Sequence, residues 1–145
     1  MKNWGVVVVL VLIVSAGLLL WQYRQPAKVC RYSDASNTIE EICVYNLKAA
    51  TAVKNPLVLT GVARGNWFFE ASFPVEILDG NNNVLMQGLA QAHGEWMTAD
   101  LVPFTVTELK FVTPATPTGV IVLKKDNPSG LPQNDASFTI PIKFK

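Results

Sequence analysis

The feature that most constrains this chain is a run of 18 residues without a charge, Trp4 to Trp21, near its amino end. As an α-helix rising about 1.5 Å per residue, such a run covers roughly 27 Å, close to the hydrocarbon thickness of a bilayer. In lipid a helix satisfies its own backbone groups, so the β-branched Val6 to Val9 do not prevent it from forming. Trp4 and Trp21 bracket the run and Tyr23 follows, as in the aromatic belt of a spanning helix. Leu18 to Arg24 is bulky and lacks the small-residue pattern of a cleavage site, which favours an uncleaved anchor over a removed signal peptide. No Cys directly follows the run, and Cys30 lies too far downstream for a lipoprotein-type attachment. The sequence therefore predicts a cytoplasmic amino terminus over 1–3, a transmembrane anchor over 4–21, a juxtamembrane connector over 22–46 and a folded domain over 47–145.

Composition matters mainly for what it excludes. From Leu47 to Lys145 there are eight Lys/Arg and eight Asp/Glu, so the domain is neutral overall. No basic stripe is visible, and nucleic acid is not an expected partner. The remaining length is near the commonest domain size and can bury a core without a metal.

Cys30 and Cys43 have twelve residues between them, among them the turn-rich Ser33 to Thr38. An even count in an anchored chain predicts one disulfide in an oxidising compartment. Closing a loop of this size contributes roughly 3 kcal/mol by the chain-entropy model. Two unpaired thiols are the alternative. Two Cys with no nearby His do not make a tetrahedral metal site, since the lone His93 is far downstream.

Beyond the connector the pattern is all β. Thr38 to Cys43 reads equally as a helical turn or the end of a hairpin. Leu57 to Ala63 is the first clear strand. Trp67 to Leu78 is the strongest, with Phe69, Ala71, Phe73, Val75 and Ile77 on one face and Glu70, Ser72 and Glu76 on the other. Pro74 cannot donate to a ladder, so this strand is expected at an edge or with a bend. Asp79 to Asn83 is a turn, and Val84 to Gln91 is the returning partner. Phe104 to Val112 and Thr118 to Lys125 follow. A Gly/Pro loop over Asn127 to Asn134 leads to a last strand in which Phe138, Ile140, Ile142 and Phe144 alternate with polar residues. About seven short strands in roughly a hundred residues fit an immunoglobulin-like β-sandwich.

From Leu57 to its end the chain resembles the bacterial spore-germination immunoglobulin-like domain family. The resemblance is carried by Pro56-Leu57, by Thr60-Gly61-Val62-Ala63-Arg64-Gly65 and by Phe69-Glu70-Ala71-Ser72-Phe73-Pro74-Val75. Further on come Trp96-Met97, Val102-Pro103-Phe104, Lys125-Asp126-Asn127-Pro128-Ser129-Gly130 and the strand Phe138 to Phe144. The family implies an extracytoplasmic, sandwich-type accessory domain with no known catalytic residues. The chain has no companion germination module, since Val29 to Asn46 is too short, and no lipoprotein Cys. What carries over is fold and compartment. Arg24, Lys28 and Arg31 follow the anchor, and the positive-inside rule alone would keep the domain in the cytoplasm. The cysteine pair and the resemblance outweigh it, and the domain is expected on the outer face of a bacterial cell membrane.

The usual chemistry is not found. One His cannot supply a Ser-His-Asp triad, and no Gly-x-Ser-x-Gly elbow is present. Asp79, Asn81 and Asn83 begin like a calcium loop, but Val84 and Ala90 stand where Gly and Glu are needed. Glu70 and Glu76 on one strand face would lie roughly 20 Å apart, too far for paired acid/base work. No enzyme, cofactor or metal is therefore expected. The expected partners are the bilayer, through residues 4–21, and an envelope protein or glycan. Asp126, Asn127, Ser129 and Gly130 form the candidate partner-contact loop, although the same residues read as a turn in which Asp or Asn caps the backbone. The alternative is a structural subunit of an envelope complex assembled through the helix, where Ser15, Ala16 and Gly17 allow close packing.

Overall fold

A computed structural model describes residues 27–145. The expected anchor over 4–21 lies outside the described residues, and among those described no helix is long and apolar enough to cross a membrane. The domain is all β. Its strands are β1 (Val29–Tyr32), β2 (Glu40–Val44), β3 (Thr51–Ala52), β4 (Leu57–Arg64), β5 (Ser72–Asp79), β6 (Val84–Ala92), β7 (Leu101–Leu109), β8 (Thr118–Lys124) and β9 (Ser137–Lys143). They form one curled, hydrogen-bonded sheet in the order β1-β2-β4-β7-β6-β5-β8-β9-β3.

Alternation makes the strands. Leu57, Leu59 and Ala63 of β4 point inward, as do Phe73, Val75 and Ile77 of β5. Ile121 and Leu123 of β8 and Phe138, Ile140 and Ile142 of β9 complete the pattern. These side chains join Val102, Phe104 and Val106 of β7 in one core. The sheet curls at β6, which runs beside β5 from Val84 to Gln91 but meets β7 only through Ala90↔Val106, Gln91↔Thr105 and Ala92↔Phe104. Two layers result, β1-β2-β4-β7 and β6-β5-β8-β9-β3, with their inner faces sharing the core.

Nine strands stand where about seven were expected, and the difference lies mainly in the stretch read as a connector. β1 pairs with β2, and β2 pairs with β4 through Ile42↔Ala63, Cys43↔Val62 and Val44↔Gly61. Residues 29–44 are thus built into the sheet, and Thr38 to Cys43 resolves as strand. Four- and five-residue strands carry too little alternation to be read from sequence. Cys30 and Cys43 lie directly opposite each other on β1 and β2 and form a disulfide.

The strong strand begins later than Trp67. Gly65–Trp67 is a 3-10 turn, and Glu70 and Ala71 both take positive φ, 49° and 61°. Phe69 and Ser72 exchange two backbone hydrogen bonds around them. Two left-handed central residues are the signature of a tight hairpin turn of the I′ kind. Phe69 is therefore exposed instead of in the core, and Glu70 leaves the strand face it was assigned to. Nor does Pro74 mark an edge. β5 sits between β6 and β8, but its pairing with β8 starts at Val75, one residue later, so no ladder bond depends on the missing N–H.

Trp67 ties the layers together. Its side chain is fully buried, and its ring meets Phe73 edge to face at 5.8 Å. Its indole N–H donates to Glu41 Oε1 at 3.3 Å, and its carbonyl accepts from the Asp126 N–H at 3.0 Å. The neighbouring Gly65 is needed for close approach, because a Cβ there would lie 2.0 Å from the Thr98 carbonyl oxygen. Replacing Trp67 with Ala is expected to cost about 3–5 kcal/mol, a large share of a typical domain's stability. Urea unfolding measures this; a loss below about 1 kcal/mol would contradict a packed core centred on that ring.

Candidate functional site

The strand directions place four loops at one end of the domain: 33–39, 65–71, 93–100 and 125–136. Three of them, 65–71, 93–100 and 125–136, are joined by hydrogen bonds. Gly65 N–H donates to the Asp100 carbonyl, Arg64 Nη1 donates to the Ala99 carbonyl, and Asp126 reaches Trp67. The opposite end, the base, carries the hairpin turn Asp79–Asn83, residues 110–117 and Phe144–Lys145. β1 runs from the base side toward the loops, so the chain enters the described domain away from the loop end.

The candidate contact loop is internally ordered. Lys125 N–H donates to the Ala136 carbonyl at its neck. Asn127 Nδ2 donates to the Leu131 carbonyl at 2.9 Å and to Asp135 Oδ1 at 2.6 Å. Ser129 Oγ donates to Asn127 Oδ1 at 2.5 Å and accepts from Asn134 Nδ2 at 2.9 Å. Gly130 holds φ at +64°, a backbone state that favours glycine. The polar groups of Asn127 and Ser129 are thus spent inside the loop. What the loop presents outward includes Leu131, which is 49% exposed.

Each of the other three loops also presents a large apolar side chain: Ile39, Phe69 and Met97 are all exposed. Exposed apolar side chains on ordered loops at one end of the domain suit a protein-contact surface. Sequence reasoning missed these three. Phe69 was assigned to the core by alternation, and Ile39 and Met97 sit in loops where a lone apolar residue gives no periodic signal.

A shallow groove of about 570 Å³ runs beside the loop, lined by Arg31, Val122, Lys124, Lys125, Asp135 and Ser137 among others. Its charges are largely matched within the molecule. Arg31 Nε lies 2.9 Å from Glu41 Oε2, and Lys124 Nζ lies 2.7 Å from Glu76 Oε2. The Lys124 contact, with Gln87 donating to Glu76 Oε1 at 2.9 Å, holds the Glu76 carboxyl below its ordinary range.

The remaining sequence candidates stay apart. His93 Nε2 shares a 2.8 Å hydrogen bond with Thr105 Oγ1 on the surface. Asp79 is buried, and its carboxylate accepts from Asn81 N–H, Asn83 N–H and Asn83 Nδ2, so the turn itself uses the oxygens a cation would need. Those bonds, led by the Asn83 side chain, hold the Asp79 carboxyl below its usual range. Glu40 comes close to both sulfurs of the cysteine pair, but the sulfurs are bonded to each other and are not thiolate ligands. Asp34 organises the 33–39 loop by accepting from Ser36 Oγ, Thr38 Oγ1, Thr38 N–H and Ile39 N–H. Its carboxyl is held well below the ordinary range by those donors, the Ser36 hydroxyl first.

The sequence model of one family, described as the immunoglobulin-like domain of bacterial spore germination, matches residues 44–130, more than half of the chain. No curated protein and no solved structure matches.

The three lowered carboxyls give a pH dependence with a definite sign. Asp34, Glu76 and Asp79 are more acidic when folded than when unfolded. Their contribution is complete above the unfolded values and is lost as pH falls through the folded ones. Urea stability should hold from neutral pH down to about pH 5 and then fall, because unfolded carboxyls titrate near pH 4. Asp34→Asn should lower stability at neutral pH and make the acid fall shallower. A rise in stability between about pH 5 and pH 3 would contradict these hydrogen bonds.

Proposed function

The chain belongs to the immunoglobulin-like domain family of bacterial spore germination, and on that premise we propose that it is a membrane-anchored, extracytoplasmic accessory module that binds or scaffolds a partner at the bacterial cell envelope. The family is an accessory one and not a known catalytic class; Asp79 is committed to its turn, Glu76 to Lys124, and His93 bonds Thr105 on the surface. The observation that carries the binding reading is the loop end. Four pre-ordered loops each present one exposed apolar side chain there, Ile39, Phe69, Met97 and Leu131. Loops fixed on a rigid sandwich are where recognition usually resides. Burying such side chains against a partner contributes roughly 1.5–3 kcal/mol each when complete.

Anchoring rests on the uncharged run Trp4 to Trp21. The Cys30–Cys43 disulfide supports an oxidising compartment for the domain, since such bonds seldom persist in the cytosol. The route of the chain also fits a tether, because it enters from the side away from the loops and leaves them free to face outward.

Affinity capture of the detergent-solubilised full chain from bacterial envelopes tests the proposal. The full chain should retain a protein or glycan that Phe69→Glu and Met97→Glu variants lose, with both variants still folded by circular dichroism. Recovery of no partner, or of one that both variants retain, would count against the loop end as a binding surface.

A further inference from the structure

The neutral total charge of the domain conceals a polarity along its length. The loop end carries six acids, Asp34, Glu70, Glu95, Asp100, Asp126 and Asp135, against the cations Arg64 and Lys125. The base carries Lys54, Lys110, Lys143 and Lys145, all exposed. Two acids lie in this region: Asp79 is buried and its carboxylate is used by its own turn, and Glu108 lies 3.6 Å from Lys110 with both side chains about 70% in solvent, a weak pairing. The base is therefore cationic and the tip anionic.

The base also holds an apolar side chain out into solvent. Asn55 grips Phe111 by its backbone, donating from Nδ2 to the Phe111 carbonyl at 2.5 Å and accepting from the Phe111 N–H at 3.3 Å. The Phe111 ring packs edge to face on Phe144 at 5.6 Å. The loop is fixed on both counts, and the next residue, Val112, projects with 84% of its surface exposed, the highest value among the exposed large hydrophobics of the described residues. Val84, in the hairpin at the same end, is 51% exposed. Lys54, Lys145, Phe111 and Phe144 also line an open cavity of about 400 Å³ there.

A fixed apolar projection at the same end as exposed lysines has the composition of a surface that lies on an anionic bilayer, lysines over phosphates and the apolar residue at the acyl boundary. Chain length brings the two together. Only five residues separate Trp21 from Ala27, and even fully extended they span no more than about 18 Å. We propose that the base of the domain rests on anionic phospholipid headgroups, through Lys54, Lys110, Lys143, Lys145 and Val112, and so sets the loop end facing away from the membrane. This inference rests on the anchored reading above and adds to it a second contact with lipid.

The test uses the full chain, reconstituted without reductant into vesicles of phosphatidylcholine alone or of phosphatidylcholine with phosphatidylglycerol. A Val112→Cys variant carries an environment-sensitive fluorophore, and a Leu131→Cys variant carries the same label at the loop end. The Val112 label should show a several-fold rise in fluorescence in the anionic vesicles only. High salt should reverse the rise, and Lys54→Glu, Lys110→Glu, Lys143→Glu and Lys145→Glu combined should abolish it; the Leu131 label should stay in water throughout. The salt titration keeps the test decisive if the fourfold variant fails to fold. Flotation of the chain with neutral vesicles reports the anchor separately. A chain that floats with them while its Val112 label stays aqueous on anionic lipid overturns the docking and leaves the anchor standing. A label that responds on anionic lipid when the chain does not float with neutral vesicles supports the docking and removes the anchor. A Val112 label that changes only when an envelope extract is added assigns the base to a protein and overturns the inference.

Discussion

The interaction on which the rest of this domain depends is the burial of Trp67 between two layers of strands. The chain passes from one layer to the other between β4 and β5, and Trp67 is the side chain that fills the gap at that crossing. A ring of that size removes more apolar surface from water than any other core residue, and its N–H must find an acceptor once buried. Glu41 supplies it from β2, and the same carboxylate pairs with Arg31 on β1. Arg31 in turn donates to the Ser137 carbonyl at the start of β9. One buried ring thus fixes a polar chain that joins the open edge of one layer to the other.

From that fixed centre the two ends of the domain diverge. At the loop end, short hydrogen bonds within each loop replace regular structure, and apolar tips are held out on a rigid frame. At the base, lysines and a pinned valine face the side from which the chain arrives. On the proposed reading, the same sandwich separates a tip that meets a partner from a foot that meets lipid. Neither property changes the net charge, which is why composition alone shows a neutral domain.

The sequence made the later strands legible because period-two alternation survives wherever one face is buried and the other wet. β8 and β9 and the turn at Asp79–Asn83 appear as that pattern requires. Alternation misled at Phe69, where two consecutive left-handed residues, neither of them glycine, fold the chain back on itself. It gives no sign of β1 and leaves β2 open between a helical turn and a hairpin end, because their pairing depends on β4 far along the chain and on a disulfide more than on their own composition. The contact loop was legible in part. Asn127 and Ser129 read as turn formers and are, but the apolar tips around them come from four separate segments that only the fold brings together. Trp96, one of the residues that carry the resemblance, packs partly buried against the core.

The chain holds four tryptophans, Trp4, Trp21, Trp67 and Trp96. Hydrogen exchange of their indole N–H groups, followed by nuclear magnetic resonance on the folded full chain, tests the central claim directly. The account requires the Trp67 indole proton to exchange only on unfolding of the domain, and Glu41→Leu to shift its resonance. A Trp67 indole that exchanges at the rate of Trp96, or is indifferent to Glu41, would contradict it.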